Sequence, residues 1–91
     1  MSLYTKNGKP LQVSGTKVYS KSGKIVGKIS RNKVYGMDGK YVGTVVGQRL
    51  VYRSTHSSYV SSSFISSNRG GSSRSYRSAS SVWGDEPNIP D

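Results

Sequence analysis

Tyrosine recurs along the first half of this chain at nearly even steps, and that periodicity constrains the fold more than any other feature. Aligned on it, the sequence reads LYTKNGKPLQV from Leu3, VYSKSGKIVGKI from Val18, VYGMDGKYVGTV from Val34 and VYRSTHSSYV from Val51. Tyr4, Tyr19, Tyr35 and Tyr52 are separated by 15, 16 and 17 residues. Gly8, Gly23 and Gly39 follow their tyrosines by four positions, and Lys9, Lys24 and Lys40 by five. A unit this short cannot bury an apolar face alone, so the copies must share one core.

Each unit reads as a β-hairpin. Asn7-Gly8, Ser22-Gly23 and Asp38-Gly39 are dipeptides suited to two-residue type I′ turns, and β-branched and aromatic residues flank them. Gly15-Thr16, Arg31-Asn32 and Gly47-Gln48 can turn the chain back between units. No sustained 3.6-residue apolar period exists in the first 60 residues, which predicts an all-β domain without helix. A two-residue loop at Ser22-Gly23 would pair Tyr19 with Val26 and Val18 with Gly27. One face would then carry Val18, Ile25, Gly27 and Ile29, the other Tyr19, Lys21, Lys24, Val26 and Lys28. The same rule in the third unit sets Val34, Tyr41, Gly43 and Val45 against Tyr35, Met37, Lys40 and Val42. The first face, free of charge, is the expected core. Gly27 and Gly43 mark either close backbone approaches or bulges.

The unit Tyr-x-x-x-Gly-Lys-x-Val-Gly resembles the four-fold β-flower domain, a family of small bacterial and phage proteins, over about residues 3–60. That resemblance implies four tandem β-hairpin repeats set as petals in a pseudo-fourfold arrangement and followed by a low-complexity tail; it implies no particular activity. Two units depart from the pattern: Pro10 and Gln12 alter the first, and Thr55-His56-Ser57 replaces the turn of the fourth. Such end units can act as caps.

The expected organisation is a repeat domain over 1–60, a flexible Ser-rich linker over 61–81 and a Trp-acidic peptide over 82–91. A tail with so little apolar surface is expected to stay flexible unless a partner orders it. Tyr59, Val60, Phe64 and Ile65 could extend the last strand. Only 32% of the 91 residues are hydrophobic and none is cysteine, so disulfides and thiolate metal sites are excluded and self-association becomes an expectation. No stretch has the length of a secretory signal core or a membrane span, so no membrane insertion and a reducing cytoplasm are expected.

Net charge is +10, and residues 1–60 hold the whole excess, with eight lysines and three arginines against Asp38. A surface so basic attracts nucleic acid, acidic headgroups, nucleotides or acidic proteins. Tyr4, Lys6, Lys9, Tyr19, Lys21, Lys24, Lys28, Tyr35 and Lys40 place rings among ammonium groups, the combination with which sequence-tolerant single-strand binders stack bases and neutralise phosphates. The structural alternative is lysine stems lying over tyrosine rings on a half-exposed sheet. At the other end, Trp83 with Asp85 and Glu86 forms a candidate docking peptide for a basic groove in this protein, a neighbouring copy or another protein. His56 is the sole histidine and the acids are Asp38, Asp85, Glu86 and Asp91. No catalytic acid–base pair, metal-ligand set or cofactor motif follows from them, so no enzyme activity, metal or cofactor is expected. The leading expectation is a non-enzymatic binding or scaffold module; the alternative is nucleic-acid or anionic-ligand binding by the Tyr/Lys face.

Overall fold

The computed structural model describes residues 2–90 and is all-β. Seven strands follow one another round a closed barrel: β1 (Leu3–Thr5), β2 (Pro10–Ser14), β3 (Lys17–Tyr19), β4 (Ile25–Ser30), β5 (Lys33–Tyr35), β6 (Tyr41–Val46) and β7 (Arg49–Val51). A short 3-10 turn at Ser54–His56 follows. All neighbours are antiparallel except β1 and β7, which close the barrel in parallel, Tyr4 opposite Arg49 and Thr5 opposite Leu50. Closure leaves no unpaired edge for another chain to extend. Leu3, Leu11, Val18, Val26, Val34 and Leu50 fill the centre, and Val13, Ile29, Val42, Val45 and Ile89 pack around them.

The hairpin loops differ from the expected type I′ turns. Thr5 N–H bonds to the Lys9 carbonyl, Ser20 N–H to Lys24 and Gly36 N–H to Lys40, so three residues, not two, sit in each loop. Gly8, Gly23 and Gly39 have φ of +97°, +97° and +82° while Asn7, Ser22 and Asp38 stay at negative φ. A type I′ turn needs positive φ at both central residues; a three-residue loop ending in a left-handed glycine needs it once. Side-chain hydroxyls reinforce the first two loops, Thr5 Oγ1 and Ser20 Oγ each accepting the N–H of the lysine four residues on.

This extra loop residue corrects the predicted faces. Tyr19 pairs with Ile25 and Tyr35 with Tyr41, and a bulge then restores Val18 opposite Gly27 and Val34 opposite Gly43. Val26 and Val42 therefore point to the core, whereas Ile25 and Tyr41 are buried outside the central cluster. The two readings of the glycines hold together. Gly27 sits at the bulge, and a Cβ there would meet the Tyr35 carbonyl oxygen at 2.2 Å. The first unit needs neither feature, since Leu3 faces Leu11 without a bulge. The turns at Gly15-Thr16, Arg31-Asn32 and Gly47-Gln48 form as expected, with positive φ at the first residue of each.

Two further corrections concern the second half. Val45 faces Leu50 as Ile29 faces Val34, so Val51, not Tyr52, holds the position of Tyr35 in the ladder. The expected flexible linker is ordered, because its backbone amides bond to the hairpin loops. Tyr59, Phe64 and Ile65 extend no strand, and Val60 makes one isolated bridge to Lys40.

Two substitutions probe these features. Gly27→Ala is expected to cost about 3 kcal/mol, a fall of roughly 12–24 °C in thermal midpoint, because the carbonyl facing it cannot retreat. Arg31 holds φ +60° where the equivalent turns have glycine. Arg31→Gly is expected to raise the midpoint by roughly 4–8 °C, relief of backbone strain outweighing the entropy of the added glycine. Thermal unfolding followed by circular dichroism reads both.

Candidate functional site

The predicted Tyr/Lys face is where the chain's own tail lies. Ser61 N–H bonds to the Gly39 carbonyl at 2.9 Å, Arg69 N–H to Gly23 at 2.7 Å and Arg77 N–H to Gly8 at 2.9 Å, so the tail visits the third, second and first hairpin loops in turn. A second series runs in parallel, from Phe64 to Met37, Ser72 to Lys21 and Ser80 to Lys6. Both series step by eight residues. The register leaves no side-chain pattern in the sequence, because the pairing groups are backbone amides.

The lysines and rings of that face are drawn into this contact. Lys6 Nζ donates to the Val82 carbonyl at 3.0 Å and Lys21 Nζ to the Ser72 carbonyl at 2.8 Å. Tyr4 and Tyr35 are buried, and Tyr19 is half-buried with the Arg69 guanidinium 5.3 Å from its ring centroid. Lys28 shares the Phe64 ring with Lys17, at 5.7 and 5.2 Å. Lys24 and Lys40 remain exposed, and Lys9 is half-buried. Five of the nine, Tyr4, Lys6, Tyr19, Lys21 and Lys28, thus meet the tail through their side chains, and the nine do not form one open platform.

The C-terminal peptide docks on the same barrel. Tyr52 and Asp85 exchange two backbone hydrogen bonds, at 2.7 and 2.8 Å. Glu86 accepts from the Thr5 hydroxyl and the Asn7 N–H, both at 2.8 Å, joining the peptide to the first hairpin loop. Pro87 is buried and Ile89 packs on the core. Trp83 inserts into no groove: it is 58% exposed, stacked 4.7 Å from the Arg53 guanidinium, which also donates to the Trp83 carbonyl. Asp85 acts through its backbone.

His56 joins a polar chain that sequence reading missed. Arg53 N–H donates to the Tyr41 hydroxyl at 3.1 Å, the Tyr41 hydroxyl shares a hydrogen bond with Thr44 Oγ1 at 2.6 Å, and Thr44 Oγ1 shares another with His56 Nδ1 at 2.8 Å, its direction following the imidazole tautomer. The rings of Tyr41 and Tyr59 meet the imidazole edge-on. Among the described residues no carboxylate joins this network, and no group of three His, Cys, Asp or Glu could hold a metal.

These features, an eight-residue tail register on a barrel of tyrosine-spaced hairpins, make one unit of the repeat region and the tail. The sequence model of the 4-fold beta flower protein family matches residues 1–89, tail included. The chain belongs to the 4-fold beta flower protein family. No curated protein and no solved structure gives a match. The match corrects the extent of the resemblance, since it runs past residue 60 to the C-terminal peptide. The beta flower fold here has no helix long and apolar enough to cross a membrane among the described residues.

Tyr4 carries the clearest electrostatic mark in this beta flower chain. Hydrogen bonds from Arg74 and then Arg77 hold its phenol below the ordinary tyrosine range, against the opposing effect of burial. The folded state therefore favours the phenolate more than the unfolded chain does. The resulting stability is fully present above the unfolded value near 10 and is lost as pH falls through the lowered folded value. Absorbance at 295 nm during alkaline titration should show one tyrosine ionising ahead of the rest, and Tyr4→Phe should remove that early step alone.

Proposed function

We propose that this is a non-enzymatic, cytoplasmic binding or scaffold module in which four hairpin units stand about a pseudo-fourfold axis and the C-terminal peptide completes the fourth. One observation carries the reading: Asp85 meets Tyr52 as Lys9 meets Thr5, Lys24 meets Ser20 and Lys40 meets Gly36. Gly84 precedes it with φ +130°, as Gly8, Gly23 and Gly39 precede their lysines with positive φ. Ile89 then joins Val13, Ile29 and Val45 around the core. The fourth hairpin is split, β7 outgoing and residues 84–89 returning, with the intervening tail wound past the other three loops.

What such a module presents is the outer side of that tail. Tyr59, Val60, Ile65, Tyr76 and Trp83 are all at least half exposed, Ile65 at 96%. Large apolar side chains held at spaced positions on an ordered segment suit a protein partner, or a second copy that exchanges the C-terminal peptide. The non-enzymatic reading draws on the two hydroxyl–base pairs among the described residues, Thr44 beside His56 and Thr5 beside Glu86, the latter with Thr5 fully buried. Thr44 is 1% exposed with its hydroxyl engaged on both sides, so no substrate carbon can approach it.

Removing residues 82–91 should lower the thermal midpoint and change both assembly state, by light scattering, and partner recovery from the native cell. Synthetic 82–91 peptide added in trans should restore the midpoint. If truncation leaves midpoint, assembly and recovered partners as they were, the scaffold reading is lost. The second reading, nucleic-acid or anionic-ligand binding by the Tyr/Lys face, draws on the exposed Lys24 and Lys40. It requires salt-dependent binding to mixed oligonucleotides and fails if none is detectable at low salt.

A further inference from the structure

We infer that Arg49, Arg74 and Arg77, gathered around Tyr4, form a binding site for a phosphate oxyanion that exists only with the tail in place. Their guanidinium carbons lie 5.9, 4.9 and 4.7 Å from the centroid of one ring. One arginine comes from β7 and two from the tail, so the cluster is a product of the fold, and of its members only Tyr4 belonged to the predicted Tyr/Lys set. The ring attracts each cation through its quadrupole but carries no net charge to offset their mutual repulsion. Glu86 makes no hydrogen bond to any of the three: its two oxygens accept from the Thr5 hydroxyl and the Asn7 N–H. Asp38 accepts the Lys40 N–H at a different loop.

Three guanidiniums around one ring, with no carboxylate hydrogen-bonded to them among the described residues, offer a phosphate several cationic donors. Arg49 is fixed by the carbonyls of Thr5, Lys6 and Ser78, at 3.3, 3.4 and 2.8 Å. Arg74 is fixed by the Leu11 carbonyl at 3.3 Å and the Tyr4 hydroxyl at 2.8 Å. Their charges are thus held in place before any ligand arrives, which lowers the entropic cost of binding. Arg77 is exposed with its guanidinium carbon 4.7 Å from the ring centroid, which leaves it within reach of a ligand from solvent. A carboxylate saturates one guanidinium fork, whereas a phosphate has oxygens for several.

Calorimetric titration of the full chain with pyrophosphate, and in a second arm with a short oligothymidylate, tests the site at low ionic strength. Arg77→Gln should weaken binding at least about tenfold. Arg31→Gln, which removes the same charge from the β4–β5 turn, should change it less than about twofold. Binding of pyrophosphate alone identifies a free phosphate as the source, and binding of the oligonucleotide alone a phosphodiester backbone; either supports the site if it shows that contrast. On the unmutated protein, the bound ligand should move the early tyrosine ionisation back up toward the ordinary range, because it competes with Tyr4 for guanidinium donors. No binding in either arm, equal weakening by both substitutions, or a Tyr4 titration unmoved by saturating ligand overturns the proposal.

Discussion

The carbonyl of each loop glycine, turned outward and met by a tail amide, is the contact on which the rest of this structure depends. A glycine at positive φ allows the backbone to approach that closely. A Cβ at Gly8 would lie 1.9 Å from the Arg77 carbonyl oxygen, and one at Gly23 would lie 1.8 Å from that of Arg69. The requirement for glycine at these sites is therefore double, first to close the three-residue loop and then to admit the tail. Each amide–carbonyl bond contributes only about 1 kcal/mol, but the contacts occur in series along one segment and order it as a unit.

That ordering changes what the basic charge is for. Lys6 and Lys21 sit in the first two loops, where a reader of the sequence sees cations offered to a ligand. Their ammonium groups instead donate to carbonyls of the Ser-rich tail, groups that carry partial negative charge without being acids. The arginines of the tail return the relation, stacking on Tyr4 and Tyr19 of the barrel. Tail and barrel are complementary in hydrogen-bonding capacity rather than in net charge, which leaves the molecule strongly cationic after it has folded.

Much of the barrel was legible. The strand order, the turns at Gly15-Thr16, Arg31-Asn32 and Gly47-Gln48, and the pairing of Val18 with Gly27 all follow from the repeat. Assigning Val26 and Val42 to the wrong face traces to one residue of loop length, since side chains alternate along a strand and a single added residue inverts every neighbour until a bulge restores the phase. The fourth unit was misaligned on Tyr52 because that tyrosine imitates the pattern by type while Val51 holds the position by register. Of the candidate site, a distinct peptide at Asp85 and Glu86 was legible because acids after a basic domain stand out. Its mode was not: Asp85 pairs through its main chain, and Trp83 stays at the surface.

The sequence by itself determined that several weak hairpins must share one small core, where they turn, and that the product would be basic; spacing, turn chemistry and composition are properties of the residues in order. Only the tertiary structure decided that β1 and β7 close in parallel, that the tail winds past three loops and returns to Tyr52, and that three arginines converge on Tyr4. These depend on backbone amides finding carbonyls across 22 to 74 residues of chain, from Ser61 with Gly39 at the short end to Ser80 with Lys6 at the long end. Every residue but proline carries the same N–H, so such pairing leaves no signature in residue identity.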